Sequence, residues 1–299
     1  MKKIQYRLEA ICLRSLFILL KSLRADYAST LAGTFFRYLG PLLPISRIAH
    51  RNLELAMPEL NITKRKCIIR NMWENLGRNF GEFPHLATLK ENTPQGPGFD
   101  IQGSAYLRPL LERKSAALFV SGHIGNWELL PVAIAKYGLS FNAFYRAANN
   151  PEVDHILIQI RNKALGTTAM PFFTKSMRGL FAAMAHIAHG GRLGMLIDQK
   201  INNGIELSFF GHPAMTTPAA AMIALQYRCP IILGYVKRIG PARLRVLVDA
   251  PIDLPNTGSR QEDIRLLTQT FNNRLEIWIR QHPENWLWLH KRWPKHYYK

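Results

Sequence analysis

Residues Ala116-Ala117-Leu118-Phe119-Val120-Ser121-Gly122-His123-Ile124-Gly125-Asn126-Trp127-Glu128 decide the reading of this chain. Ala116 to Ser121 is a short apolar run of the kind found in a strand buried on both faces. Trp127 to Lys136 is helix-like, so a tight loop joins a strand to a helix. Gly122 and Gly125 permit a sharp turn and close approach of a substrate, and Asn126 suits the N-cap of the helix that follows. His123 and Glu128 are five residues apart, which on one continuous helix would set them about 140° apart. If the chain instead turns through His123 to Gly125 and enters the helix at Asn126, the imidazole folds back over the first turn. Glu128 in that turn is also favourably placed against the helix dipole. A carboxylate accepting from one imidazole nitrogen fixes the tautomer and raises the basicity of the other. The pair then forms the general-base half of a catalytic triad, with a substrate hydroxyl in place of a protein nucleophile. A lone loop histidine is ordinarily a satisfied structural one; the strand–Gly–His–Gly–Glu setting points to chemistry.

Outward from this loop the pattern alternates. Residues 47–90 read as helices, with Ile68, Ile69, Met72, Leu76 and Phe80 at near-helical spacing. Glu91 to Gly98, rich in Gly and Pro, reads as a loop or boundary. Phe141 to Arg146 is strand-like and Pro151 to Leu165 helical. Ser176 to His189 is a helix stopped at Gly190-Gly191, and Leu193 to Ile197 is another short strand. Phe209-Phe210-Gly211-His212-Pro213 and Thr216-Thr217-Pro218 read as a turn capping an Ala-rich helix, Pro218 to Tyr227. Ile231 to Val236 and Leu244 to Val248 are strands, and Gln261 to Arg280 is a long amphipathic helix. Strands alternating with helices give an α/β fold whose sheet is covered on both faces, with chemistry in the loops leaving strand ends.

The chain of 299 residues is 47% hydrophobic and carries a formal net charge of +19. That composition excludes disorder and a disulfide mini-scaffold, and the charge calls for a polyanionic partner. Cys12, Cys67 and Cys229 form no CxxC pair and read as reduced thiols, Cys229 in the core. At the N-terminus, Leu16 to Leu20 and Leu31 to Ile45 are apolar stretches edged with Lys and Arg. Glu9 and Arg14 interrupt the first, and its uncharged run from Ser15 falls short of the roughly 20 residues a spanning helix needs. Residues 1–90 hold 15 Lys and Arg against 6 Asp and Glu, a net +9. Two helices lying in a membrane interface fit this pattern, and so does an amphipathic pair packed on the protein's own core. A single tilted span centred on Leu16 to Leu20, serving as an N-terminal anchor, is the less favoured alternative, because charges at that depth are costly. The expected division is therefore a membrane-associating segment over 1–45 and an α/β domain over 46–299. His186 and His189 form an HxxH without further ligands, so no metal site is expected. Trp286, Trp288 and Trp293, beside Lys291, Arg292 and Lys295, suit headgroup contact and core packing equally.

SGHIGNWE (121–128), FYRAANNP (144–151) and HPENWLWLHKRW (282–293), with HRNLELAMPEL (50–60) and IDQ (197–199), closely resemble the late acyltransferases of bacterial lipid A biosynthesis, within the wider lysophospholipid acyltransferase superfamily. The resemblance spans roughly residues 45 to 293. It implies a glycerol-phosphate acyltransferase-like fold, a central mixed sheet flanked by helices. It implies transfer of a fatty acyl group from acyl carrier protein to a hydroxyl of a lipid A precursor, without a cofactor, at the cytoplasmic face of the inner membrane. His123 then corresponds to the base and Glu128 to the motif carboxylate. The tetrahedral oxyanion needs donors, for which, or for phosphate binding, Arg146 is the first candidate. Asn126, Asn149, Asn150 and Asp198 are expected near the substrate by the same likeness. An acyl-CoA-dependent lysophospholipid or glycolipid acyltransferase is the enzymatic alternative. A nucleic-acid-binding protein is the non-enzymatic one, though no P-loop, zinc pattern or RNP-like motif supports it. The sequence leaves the oligomeric state open.

Overall fold

A computed structural model describes residues 2–91, 96–113, 115–167, 172–174 and 176–298. Part of the Gly/Pro-rich stretch expected as a loop, 92–95, lies outside the described residues. Four helices come first: α1 (Lys2–Ser22), α2 (Ala25–Leu39), α3 (Ser46–Ala56) and α4 (Ile62–Glu82). Two glycines of α4 let α2 lie directly against it. A Cβ on Gly77 would stand 2.4 Å from the Ala32 carbonyl oxygen, and one on Gly81 2.4 Å from that of Ala28. The N-terminal helices are thus packed on the body of the protein, and Ala10, Phe17, Leu20, Ala25 and Ala28 join one of its two apolar cores. Among the described residues no helix is long and apolar enough to cross a membrane.

The rest alternates as expected: β1 (Lys90–Glu91), β2 (Gly98–Gln102), α5 (Arg108–Arg113), β3 (Ala117–Ser121), α6 (Leu129–Lys136), β4 (Asn142–Tyr145), α7 (Pro151–Leu165), β5 (Phe172–Thr174), α8 (Met177–Ala188) and β6 (Arg192–Leu196). There follow β7 (Ile205–Phe209), β8 (His212–Thr216), α9 (Ala219–Tyr227), β9 (Ile231–Gly240), β10 (Arg243–Val248) and α10 (Arg260–Gln281). Eight strands form one sheet in the order β1-β2-β10-β9-β3-β6-β4-β5. Its neighbours are parallel except for the antiparallel β9–β10 pair, so the sheet is mixed, flanked by helices.

β3 lies inside this sheet, with all five residues buried. Successive side chains leave a strand on opposite faces. Leu118 and Val120 accordingly enter one core, with α3, α4, α8, α9 and α10, while Ala117 and Phe119 enter the other, with α1, α2 and α6. Helix ends follow local chemistry. Asn150 accepts from the Glu152 and Val153 backbone N–H groups at the start of α7, Pro151 takes its first position, and Gly166 closes it at φ 65°.

Two differences from the sequence reading have physical causes. Phe209 to Thr216 is not a simple turn: β7 and β8 form a hairpin across Phe210 and Gly211, at φ 51° and 74°. Two left-handed residues match the twist of a tight hairpin, but Pro213 and the short flanks hide the strands. β2 also escapes the reading, because Phe99-Asp100-Ile101-Gln102 alternates over only two periods beside a Gly/Pro loop. Of the two settings open to Trp286, Trp288 and Trp293, the structure shows the core, where all three are buried. Between them and the hairpin, the fully buried Arg292 donates to Met215 O at 3.0 Å and Thr216 Oγ1 at 2.8 Å and lies over the Phe209 ring. Burial pushes its pKa down to about 10.

Candidate active site

The loop leaving β3 turns abruptly. The Ile124 N–H donates to the Gly122 carbonyl at 2.8 Å, a three-residue turn with His123 at its centre. Gly125 has φ 59°, and a Cβ there would fall 1.7 Å from the Val236 carbonyl oxygen, so only glycine fits. The turn is fastened to the C-terminal segment. Gly125 N–H donates to Asn285 O at 2.8 Å, Leu287 N–H donates to His123 O at 3.0 Å, and Ile124 bridges Trp286. Asn52 of α3, fully buried, holds that segment in turn by donating to the carbonyls of Trp288 and His290, at 2.6 and 2.7 Å.

Asp198, two residues beyond β6, reaches across to this turn. Its Oδ1 lies 2.7 Å from His123 Nδ1, while its Oδ2 accepts from the His123 backbone N–H at 2.8 Å and from Trp286 Nε1 at 2.7 Å. The side chain is buried. Burial alone would raise its pKa, but the adjacent imidazole and the three hydrogen bonds outweigh it and hold the carboxyl well below the usual carboxylate range. An ionised Asp198 places the neutral imidazole's proton on Nδ1 and leaves Nε2 as the bare, basic nitrogen. Trp127 meets the ring edge-on at 5.2 Å between centroids. On the Nε2 side stands Gln199, whose Nε2 is 3.4 Å from His123 Nε2 and 3.0 Å from His290 Nε2.

Glu128 is not the partner of His123, contrary to the sequence reading. Helix α6 begins at Leu129, so Glu128 occupies its N-cap position and points toward α7. There Arg161 grips both carboxylate oxygens, at 2.9 and 2.7 Å, while its guanidinium lies over the Phe83 and Phe172 rings. Burial opposes the Arg161 charge, but Glu128 outweighs it and raises the pKa.

Asn126, also displaced from the N-cap position by the later helix start, is fully buried and donates to Glu82 Oε2 at 2.8 Å. Glu82, at the end of α4 and without exposure, is paired with Arg238 of β9 and accepts from Ser29 Oγ at 2.7 Å and Ala242 N–H at 3.0 Å. Arg238 also donates to Asn75 and Asn79, and the Asn79 amide donates to Gly125 O at 2.6 Å. A buried ionic network thus seats the back of the loop.

The remaining expected residues lie apart. Arg146 and Asn149 are exposed, and neither side chain makes a hydrogen bond or ion pair with a described residue. Asn150 caps α7 and donates to Tyr6 O and Glu9 Oε2, both at 2.9 Å, which ties α7 to α1. Both histidines of the HxxH engage backbone carbonyls, His186 that of Arg192 and His189 that of Ala185, and no cluster able to hold a metal occurs among the described residues. Sequence reasoning misses the roles of Gln199, His290, Arg161, Glu82 and Arg238. For Gln199 and His290 the motifs IDQ and LHKRW are the available signal; for the other three there is none.

Comparison with known proteins shows the family. The family model for bacterial lipid A biosynthesis acyltransferases matches residues 3–295. The lipid A biosynthesis lauroyltransferase of Escherichia coli (strain K12) is 22% identical over 256 residues, covering 83% of this chain and 78% of its own. Among solved structures, the 1-acyl-sn-glycerophosphate acyltransferase PlsC of Thermotoga maritima aligns over 92% of this chain and 97% of its own at 12% identity and a TM-score of 0.37, a likeness too slight to bear on the fold. A match over nearly the whole length, with a histidine–carboxylate pair at the end of a central strand, makes this chain an acyltransferase of the bacterial lipid A biosynthesis family.

Proposed function

We propose that this enzyme transfers a fatty acyl chain from acyl carrier protein to a hydroxyl of a lipid A precursor, with His123 as general base. The observation that carries the reading is the 2.7 Å contact between His123 Nδ1 and buried, ionised Asp198, which leaves Nε2 free to take a proton. The acceptor hydroxyl oxygen attacks the thioester carbonyl carbon as its proton passes to His123 Nε2. The tetrahedral oxyanion collapses, the C–S bond breaks, and the departing thiolate takes the proton from the imidazolium. An ester and a free carrier thiol result. Asp198 orients the base, and Glu128 acts with Arg161.

The same reading puts the enzyme on the cytoplasmic face of the inner membrane. Support comes from the outward faces of α1 and α2. Ile4, Leu8, Ile11, Ile18 and Leu19 on one, and Tyr27, Leu31, Phe35 and Tyr38 on the other, are all exposed at helical spacing. Exposed apolar stripes rimmed by Lys and Arg suit an anionic lipid surface. The net charge of +19 suits a phosphorylated glycolipid and an acidic carrier protein as well.

The test is direct. Purified enzyme given acyl-acyl carrier protein and a tetraacylated lipid A precursor yields the further acylated product, and His123→Ala abolishes it while remaining folded. Full turnover by that variant would sink the mechanism, and equal use of lysophosphatidic acid would move the substrate to the glycerolipids.

A further inference from the structure

Gln199 lies between two imidazoles, and the protonation of one decides the orientation of the rest. Asp198 holds the proton of neutral His123 on Nδ1, so Nε2 carries a lone pair. Whatever faces that lone pair must donate. Gln199 Nε2, at 3.4 Å, is the group that does so. The second N–H of the same amide is directed at His290 Nε2 at 3.0 Å, which must therefore accept, leaving the proton of a neutral His290 on Nδ1. The order is fixed from the buried carboxylate outward.

The two contacts are unequal. The one to His290 has normal hydrogen-bond length; the one to His123 is at the limit of a useful bond. A hydroxyl arriving at His123 Nε2 takes over that lone pair and frees the weaker N–H. The bond being formed then places the carbonyl oxygen of the acyl group close to the released donor. Arg146, which the sequence put forward for the oxyanion, is exposed and is not among the hydrogen-bond or ring partners of His123.

We propose that the Gln199 carboxamide is a catalytic hydrogen-bond donor to the tetrahedral oxyanion, with His290 as the positioning residue that turns its NH2 group toward the reacting atoms; this rests on the acyl-transfer reading above. Without an acceptor at His290, the carboxamide can rotate and present its own oxygen, which would repel the oxyanion. One group therefore has two states: a cap on the resting base and a donor to the charge that develops.

The test compares kcat and acceptor KM, under acyl-transfer conditions, for the wild-type enzyme, His123→Ala, Gln199→Met, Gln199→Glu, His290→Ala and His290→Gln, each checked for folding by circular dichroism and thermal melting. Gln199→Met keeps length without a donor, and Gln199→Glu keeps shape but replaces the donor with an acceptor, so either serves if the other fails to fold. Loss of one oxyanion donor is worth about 10²- to 10³-fold in kcat, and that loss is expected in both, with KM within about threefold. His290→Ala is expected to lower kcat at least about tenfold. His290→Gln, whose amide oxygen can take the place of Nε2 as acceptor, is expected to restore most of it. A kcat for Gln199→Met within about threefold of wild type, or a defect confined to KM, overturns the proposal, as does equal impairment of the two His290 variants. If the wild-type enzyme transfers no acyl group, the acyl-transfer reading fails; if His123→Ala transfers it equally well, His123 is not the base; in either case the proposal falls with it.

Discussion

Asp198 follows His123 by 75 residues, the same offset that relates β3 to β6, where Ala117 faces Arg192 and Ser121 faces Leu196. The histidine–carboxylate pair is thus the parallel register continued two residues past the strand ends. No long side chain has to reach across; the sheet itself delivers the carboxylate to the imidazole.

Asp198→Asn tests this directly. Three N–H donors converge on the carboxylate, from the His123 backbone, its ring and the Trp286 indole. An amide has one oxygen and one NH2, so at least one of these donors would then face another donor, and the imidazole loses its fixed tautomer. A comparable change in a serine-protease triad costs about 10⁴-fold; a fall in kcat/KM of at least about 10³-fold is expected from initial rates. The carboxyl's folded pKa lies below its unfolded value of about 4. Its contribution to stability is therefore complete above that value and declines as pH falls toward the folded pKa. The melting-temperature gap between wild type and Asp198→Asn should hold steady from pH 8 to 5 and narrow below pH 4.

Glu128 and Arg161 should behave as one unit. The bidentate pair joins the start of α6 to α7, and each side chain is mostly buried. Removing either partner leaves the other charge unmatched in the same place. Glu128→Ala, Arg161→Ala and the double variant should therefore lose activity to a similar extent, with strong non-additivity in a double-mutant cycle. Additive losses in kcat/KM would mean that the two residues act separately.

Much of this fold is legible in the amino-acid sequence. β3, α7 and α10 are marked by an unbroken apolar run, by Asn150-Pro151 with Gly166, and by amphipathic spacing. His123 stands out because glycines flank it directly after a strand. The identity of its partner is not legible. Glu128 is near in sequence, and local reasoning favours near neighbours, whereas Asp198 becomes a neighbour only through strand order. Even with Asp198 among the substrate-binding candidates, nothing local pairs β3 with β6. The same limit hides Arg238 and Glu82, which meet across 156 residues; the β7–β8 hairpin is hidden because Phe210 stands where the usual Asn-Gly signal has Asn, with only Gly211 matching it.

The Glu82–Arg238 pair sits behind the loop with side-chain exposures of 0% and 10%. Arg238→Met leaves a carboxylate with no exposure and no cation, a loss worth about 3–5 kcal/mol for a broken buried pair. Glu82→Gln introduced into that background removes the stranded charge while keeping a polar side chain for Asn126 and Ala242. Urea midpoints should show the single Arg238 variant to be less stable than the double. A double variant at least as unstable as Arg238→Met would mean that the pair contributes packing rather than charge balance.

The outer faces of α1 and α2 make the membrane reading testable without touching the site. Ile11 and Leu19 are 60% and 58% exposed, on the same face of α1 as Ile4, Leu8 and Ile18. Fully burying one such side chain is worth about 1.5–3 kcal/mol, so replacing both by Glu should weaken vesicle binding by at least about 10²-fold. Co-sedimentation with vesicles rich in phosphatidylglycerol should show this loss. Wild-type binding should be stronger to these than to phosphatidylcholine vesicles and should fall between 0.1 and 1 M salt as the Debye length shrinks from about 10 to 3 Å. Because both side chains point away from the core, the double variant should keep its folding transition and, with detergent-dispersed substrate, its turnover. Unchanged vesicle binding would mean that the stripe faces something other than lipid.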